Sequence, residues 1–508
     1  MRSINSIRNM LFGFLSQITS SVLAFITRTV FIYVLGVEYL GVQGLFTNIL
    51  SMLSLANLGF GSAIIYSLYK PLKEKNCVEI KAYMNLYKNF YIFVAAIVLI
   101  IGLIITPFLP RIINMKLGIN ENLFIIYIMF LLESSFSYLC IYKQSILIAN
   151  QQNYIISKIH TYFVLISNLI QIFMLIVFKA YMPVLIMQLI CRLIENIIIS
   201  KKADKEFGFL KDKSLGGNLP KNKKKQLFKN VYSMLLYKIS GTVINSTDNI
   251  VISYFIGVVY VGIYSNYLLI VSTIKNFVGY IFSSMTASVG NLIVSNEKNK
   301  KQVVFNQIFF LSFWIYGMCS IILYIVLNEF IELWLGKKFL LDNFTVLIII
   351  VNFYTTGMQS AATMYRETTG MFIIGKYRPI IAAILNILIS VILAPRLKIA
   401  GVLLGTIISR LCVYFWFDPV IIYKNVFNKS CKEYFLKYIL YTIVTIISGL
   451  ITIKIYSVLT WNNGYLFFII KSIICLISIN TVFLSIFFRT DEFKSLFNYL
   501  MIIIKKLD

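Results

Sequence analysis

The sequence predicts an all-α integral membrane protein of about fourteen transmembrane helices, arranged as two six-helix lobes related by a parallel pseudo-repeat, with two extra C-terminal helices. Three observations predict it. The chain is strongly apolar, its basic residues alternate between opposite sides of a membrane, and a short glycine motif recurs six spans apart.

Apolarity comes first. Of 508 residues, 59% are hydrophobic and 13% are charged, and the mean hydropathy is +0.82. A water-soluble domain carries roughly 25% charged residues, so this chain lacks the polar surface to cover a soluble fold. Long apolar runs stand at 91–107, 123–132, 162–178, 380–395, 438–453 and 465–488, and all but the second approach or reach the ~20 residues that a spanning helix needs. Apolar stretches between polar breaks place spans near 10–35, 42–69, 91–113, 122–149, 154–178, 181–200, 231–256, 261–293, 303–328, 344–369, 377–395, 399–424, 435–458 and 465–488. The first span follows Met1–Asn9 with no small-residue cleavage pattern, and reads as a retained signal anchor.

Basic residues test that division. With the N-terminus inside, cytoplasmic segments and adjoining span ends hold 34 of the 47 Lys and Arg residues, outer loops hold eight, and five lie within spans. Retention of positive loops in the cytoplasm gives this alternation. An even number of spans keeps both ends cytoplasmic. The net charge of +27 therefore reflects sidedness, and no nucleic-acid partner is implied.

Four segments follow: spans 1–6 in 1–200, a basic cytoplasmic linker in 201–230, spans 7–12 in 231–424, and spans 13–14 with a cytoplasmic tail in 425–508. The linker is lysine-rich, with Gly216, Gly217 and Pro220, and reads as a partly helical surface segment drawn to anionic lipid.

The repeat is Gly36-Val37-Glu38-Tyr39-Leu40-Gly41 after span 1 and Gly257-Val258-Val259-Tyr260-Val261-Gly262 after span 7. Both sit at outer turns between helices, where glycine relieves backbone strain. An even spacing in spans makes the two halves run the same way through the membrane, a known transporter arrangement. Spans 13 and 14 have no counterpart and read as an appendage.

Ionisable residues inside spans are costly and face a cavity or a partner. The set is Arg28, Glu133, Arg192, Glu195, Asp248, Lys275, Arg410 and Asp418. Arg192 and Glu195 stand three apart and can neutralise each other. Arg28 and Asp248 precede their glycine turns by eight and nine residues, so they occupy nearly equivalent places on the first helix of each half. They can pair, or Arg28 can join Lys275 and Arg410 in a cationic cavity while Asp248 balances charge or couples an ion. Glu133 is a second candidate for coupling or gating. Lys143, Lys238 and Lys471 lie near span ends and are expected to snorkel. Polar residues Gln17, Thr19, Ser20 and Ser21 on span 1, and Asn48, Ser51, Ser54 and Asn57 on span 2, either face a pore or bond between helices. Gly401 and Gly405 form a GxxxG packing motif. Trp334, Trp461 and tyrosines near span ends fit interfacial anchoring.

Signals for catalysis and cofactors are missing from the sequence. No Walker loop, GxSxG or HExxH occurs, so an ATP-driven pump within this chain is excluded. The only histidine, His160, lies in an apolar span and reads as packed. Seven scattered cysteines without a CxxC form neither a zinc site nor a disulfide framework.

Several segments together resemble a known family. These are 28–41 (RTVFIYVLGVEYLG), Leu58-Gly59-Phe60-Gly61, Leu68-Tyr69-Lys70-Pro71, Thr247-Asp248-Asn249-Ile250-Val251-Ile252-Ser253, Gly262-Ile263-Tyr264-Ser265-Asn266-Tyr267, Leu333-Trp334-Leu335-Gly336, Gly370-Met371-Phe372 and Lys376-Tyr377-Arg378-Pro379-Ile380. In order across residues 5–425 they resemble bacterial polysaccharide flippases of the O-antigen and capsule type, within the multidrug/oligosaccharidyl-lipid/polysaccharide exporter superfamily. The resemblance implies a V-shaped cavity between two lobes and alternating access. It implies an undecaprenyl-pyrophosphate-linked oligosaccharide as cargo, moved to the outer leaflet of the bacterial cytoplasmic membrane. Membrane lipid and other polysaccharide-assembly proteins are the further partners it implies. Relatives that flip the peptidoglycan precursor carry basic residues on the first and eighth helices, where Arg28 and Lys275 stand here. A pyrophosphate needs cations in a low-dielectric cavity, and arginine offers it a forked donor.

Two other functions compete. A cation-coupled drug exporter of the same superfamily would want an acidic cavity, whereas Arg28, Lys275 and Arg410 make a basic one. A membrane glycan polymerase or ligase would want a sizeable outer loop, and the longest here, about 328–343, is short.

Overall fold

The computed structural model describes residues 2–54, 60–113, 118–210, 212, 219–294, 298–371, 374–458 and 464–498. Asn57, the Leu58-Gly59 pair, Lys116, Lys211, the linker stretch 213–218, Phe372 and Trp461 lie outside them. The described chain is helical throughout its regular structure. Its elements are α1 (Arg2–Leu35), α2 (Val37–Leu53), α3 (Phe60–Lys73), α4 (Cys77–Ile105), α5 (Leu109–Ile113), α6 (Leu123–Ile141), α7 (Gln144–Ala149), α8 (Asn153–Phe178) and α9 (Tyr181–Glu206). There follow α10 (Lys221–Phe255), α11 (Val258–Val294), α12 (Lys298–Leu335), α13 (Asn343–Met358), α14 (Ser360–Thr368), α15 (Arg378–Arg410), α16 (Phe417–Ile422), α17 (Lys432–Val458) and α18 (Tyr465–Phe487).

Each expected span overlaps helix among its described residues, and among those residues ten helical stretches are long and apolar enough to cross a bilayer. The protein is a multi-pass membrane protein. Its helices are apolar on the outside, as a lipid solvent requires. Leu436, Ile439, Leu440, Ile443, Ile447 and Leu450 form an exposed stripe on α17, while Tyr434, Tyr438, Tyr441, Val444 and Ser448 are buried on the opposite face. The linker is partly helical, as expected: its first residues extend α9 and its last begin α10.

Glycine fixes the turns. Gly36 and Gly257 adopt φ of 93° and 124°, the left-handed region that side chains resist. The second glycines of the two motifs, Gly41 and Gly262, meet face to face: a Cβ added to Gly41 would stand 2.0 Å from the Val258 carbonyl oxygen. The long stretch 378–427 reverses at Lys398, whose φ is 50°, three residues after Pro395. The GxxxG motif acts there as packing, because a Cβ on Gly401 would lie 2.5 Å from the Leu393 carbonyl oxygen. Asn386 donates to Thr406 at 2.9 Å across the same hairpin.

The chain forms two compact units, Met1–Gly262 and Ile263–Asp508. In the first, α1 packs along α8, α9 on α6 and α8, and α10 against α2 and α3. Helix α10 packs within the first unit. Ser253 of α10 donates to the Ile112 carbonyl of α5 at 3.0 Å.

In the second unit α12 is the central helix, with α13, α17 and α18 against it. The two extra helices are held by an aromatic seam: Phe313 stacks on Tyr441 at 4.5 Å, Phe309 on Tyr434 at 4.6 Å, and Phe313 meets Phe483 at 4.8 Å.

Two lysines expected to snorkel are instead paired. Lys471 is buried, bonds Glu329 at 3.4 Å, and lies 5.0 Å from the Tyr456 ring centre. Lys143 donates to Asp204 at 2.7 Å. A carboxylate within reach relieves the cation of the need to stretch to the headgroups, and neither partner was close in sequence. The Lys238 side chain lies outside the description. Replacing Lys471 by methionine should strand Glu329, which is 23% exposed at its side chain, and lower stability by about 2 kcal/mol. Thermal unfolding in detergent checks this, and adding Glu329→Gln should restore most of the loss.

Candidate functional site

The first unit contains a cavity of about 510 Å³ built from one stripe on each of four helices. From α2 come Gln43, Thr47 and Ser51, with Ser54 just beyond its end; α6 gives Phe130, Glu133, Ser134 and Ser137. From α8 come His160, Phe163, Ser167, Asn168 and Gln171, and from α9 come Gln188, Cys191, Arg192 and Glu195. Steps of three and four place each set on one helical face. Ser51 and Ser54 of the expected pore-facing run line the cavity. Asn48 instead donates to Gly44 of its own helix at 2.7 Å, and Gln17 to Ser21 at 3.2 Å.

Charge in the cavity is organised around Glu195. Arg192 donates to it at 3.2 Å, the pair that the i,i+3 spacing predicted, and the His160 ring nitrogen Nδ1 lies 2.8 Å from its other oxygen. His160 is therefore not packed in an apolar core: its side chain is 43% exposed in the cavity wall. Glu133 is an electrostatic neighbour of Arg192. Gln188 donates to Gln171 at 3.1 Å, and Thr27 of α1 donates to Asn168 at 2.6 Å, fixing that amide. The lining holds two carboxyl side chains, Glu133 and Glu195, against one guanidinium, Arg192.

The other predicted site residues divide between the units. Arg28 sits on α1 of the first unit, half-buried and beside Tyr181 at the start of α9, and is not part of the cavity lining. Asp248 is buried on α10, as are its chain neighbours Ser246, Thr247 and Asn249. In the second unit Lys275 and Arg410 are electrostatic neighbours; Lys275 is exposed, and Arg410 donates to Asn352 at 3.1 Å.

Asp418, a member of the intramembrane set, belongs to a buried triad. Arg366 donates to it at 3.1 Å and Arg378 donates to the same oxygen. Arg378 lies over the Phe417 and Tyr414 rings at 4.1 and 5.2 Å. Neither arginine belongs to the intramembrane set found in the sequence, because partners 52 and 40 residues distant leave no local signal. Among the described residues no group of three or more His, Cys, Asp or Glu side chains is placed to hold a metal.

No protein-family model matches the chain, and no curated protein sequence matches it. Solved structures do. One is titled lipid II flippase MurJ in an inward closed conformation, with a TM-score of 0.63, 16% identity, and coverage of 94% of this chain and 100% of that one. An inward-facing multidrug resistance MATE family transporter of the MOP superfamily matches with a TM-score of 0.57 and 12% identity, over 80% of this chain and 95% of that one. The Vibrio cholerae MATE transporter VcmN matches with a TM-score of 0.53 and 13% identity, over 84% and 99%. The chain has the fold that these proteins share, and they are titled as a flippase and as transporters.

Proposed function

We propose that the chain is a flippase that carries an undecaprenyl-pyrophosphate-linked oligosaccharide from the cytoplasmic to the outer leaflet by alternating access, for cell-surface polysaccharide assembly. It acts in the bacterial cytoplasmic membrane with both termini inside, and its moving parts are the lobes 1–200 and 231–424. The observation that carries this reading is the closeness of Lys275 and Arg410 within the second unit. Two like charges within each other's field in a membrane-spanning bundle repel each other. A pyrophosphate relieves that repulsion and takes charge-assisted hydrogen bonds from both. Arg28 on α1 is a further substrate-binding cation of the proposed transport path, while Asp248 and Glu133 serve to couple an ion or gate the cycle. The polyprenyl tail stays in lipid as the head crosses.

Complementation tests it. In a flippase-deficient strain the wild-type chain should restore surface glycan and clear the accumulated lipid-linked precursor. Lys275→Ala and Arg410→Ala should each lower export by about tenfold, the worth of one charge-assisted bond, and Arg28→Ala should lower it at least as much. Full export from the Lys275→Ala/Arg410→Ala double variant would end the cationic mechanism.

A second reading, a cation-coupled multidrug exporter, is favoured by the two carboxyl side chains, Glu133 and Glu195, in the first-unit cavity. It predicts that the wild type lowers cellular ethidium while lipid-linked glycan still accumulates.

A further inference from the structure

The lining of the first-unit cavity is mainly amide and hydroxyl, an unusual surface for the interior of a membrane bundle. Several of these groups have their donors committed. Ser51 donates to the Thr47 carbonyl at 2.7 Å, Ser54 to Ser51 at 2.8 Å, Ser137 to Ser134 at 2.7 Å, and Asn168 to Val164 at 2.7 Å. A hydroxyl that spends its proton on its own helix turns its lone pairs outward as acceptors. The Gln171–Gln188 bond engages one end of each amide and leaves a donor on one and an acceptor on the other. Phe130 and Phe163 add two ring faces to the same wall.

The charges do not suit an anion. Arg192 is bonded to Glu195, and Glu195 also meets His160, so the cavity's one guanidinium is already engaged with a carboxylate. A pyrophosphate has no cause to bind here. A ligand that brings many hydroxyl donors, accepts from amides, and offers apolar ring faces to phenylalanine does. The volume lies within the roughly 300–1,000 Å³ of small-molecule pockets.

We propose that this cavity is a saccharide subsite, distinct from the Lys275–Arg410 pair, that receives neutral sugar units of the transported head. The proposal rests on the flippase reading and names the part of its substrate that the first unit holds. Gln171 and Gln188 bond ring hydroxyls, and the serines of α2 and α6 accept from them.

Purified full-length protein in lipid nanodiscs is titrated with lactose, maltose and chitobiose, and separately with tetraphenylphosphonium. At least one disaccharide should bind saturably, and Gln171→Leu/Gln188→Leu should weaken it by about tenfold or more. Ser167→Trp, which fills the cavity and leaves both glutamines in place, should do the same. Thermal unfolding establishes that both variants are folded. Binding of tetraphenylphosphonium but of no disaccharide, with the same variants losing it, would make the cavity a cation site and overturn the proposal. Failure of all three sugars to bind the wild type overturns it as well. In the complementation strain, normal glycan export by the folded double variant removes the subsite but leaves the flippase; a wild-type chain that exports no glycan removes the flippase itself.

Discussion

Leucine at either Gly41 or Gly262 should abolish transport and lower the thermal midpoint of the protein. The reason is backbone geometry. A Cβ on Gly41 would stand 2.0 Å from the Val258 carbonyl oxygen and 2.8 Å from its carbon; one on Gly262 would stand 2.4 Å from the Val37 carbonyl oxygen. Backbone atoms cannot rotate away as a side chain can, so the helices must separate. Small residues permit close helix approach in membranes through packing rather than the hydrophobic effect. Even alanine is too large at these positions and should cost about 1–3 kcal/mol, the ordinary range for overpacking. Two controls isolate the effect. At Gly44 the nearest atom is a Val261 side-chain methyl at 3.3 Å, and at Gly279 nothing lies within 4 Å. Alanine at either should leave export and midpoint near wild type. An unchanged midpoint and full export in Gly41→Ala would show that the approach is no part of the working protein.

That contact also shows what the sequence made legible. The repeated glycine motif was readable because both copies are local, six residues long, and follow spans in matching places. Their positive φ values agree with the strain argument. Membrane spans were readable for the same reason, since hydropathy sums over neighbours. The mutual contact of Gly41 and Gly262 was not readable, because it joins residues 221 apart.

The cavity was half legible. Serines on α2 and the Arg192–Glu195 pair carry helical spacing, and both face it. His160 carried none: its partner Glu195 is 35 residues away on another helix, and a lone histidine in an apolar run gives no sign of which side it faces. Lys471 was misread because its distance from a span end suggested snorkelling, while the competing carboxylate, Glu329, lies 142 residues earlier. Cationic residues could be found singly, yet only the fold brings Lys275 and Arg410 together. Sequence periodicity reports which face a residue takes, and pairing between helices is decided by packing that no local pattern encodes.

Asp418→Asn should be the most destabilising single substitution in the second unit. Arg366, Arg378 and Asp418 are exposed at their side chains by only 3%, 6% and 9%. Both guanidiniums bond the one carboxylate, and Arg378 is further clamped over Phe417. The turn before it is equally constrained: Gly375 has φ of 75°, and a Cβ there would lie 2.4 Å from the Phe417 ring. Asparagine keeps the shape but removes the charge, leaving two buried cations facing each other. Breaking a buried pair in this way costs about 3–5 kcal/mol, because the remaining charge stays desolvated. For a unit of this size that corresponds to a midpoint lower by about 10 °C. Removing the whole triad is a different matter. Well-packed apolar replacements for buried ion groups are often neutral or better, so Asp418→Leu with Arg366→Met and Arg378→Met should unfold at a temperature close to wild type. The two measurements separate an uncompensated charge from a lost shape. Should Asp418→Asn and the apolar triple variant unfold together, the triad is held by packing and its charges are balanced elsewhere.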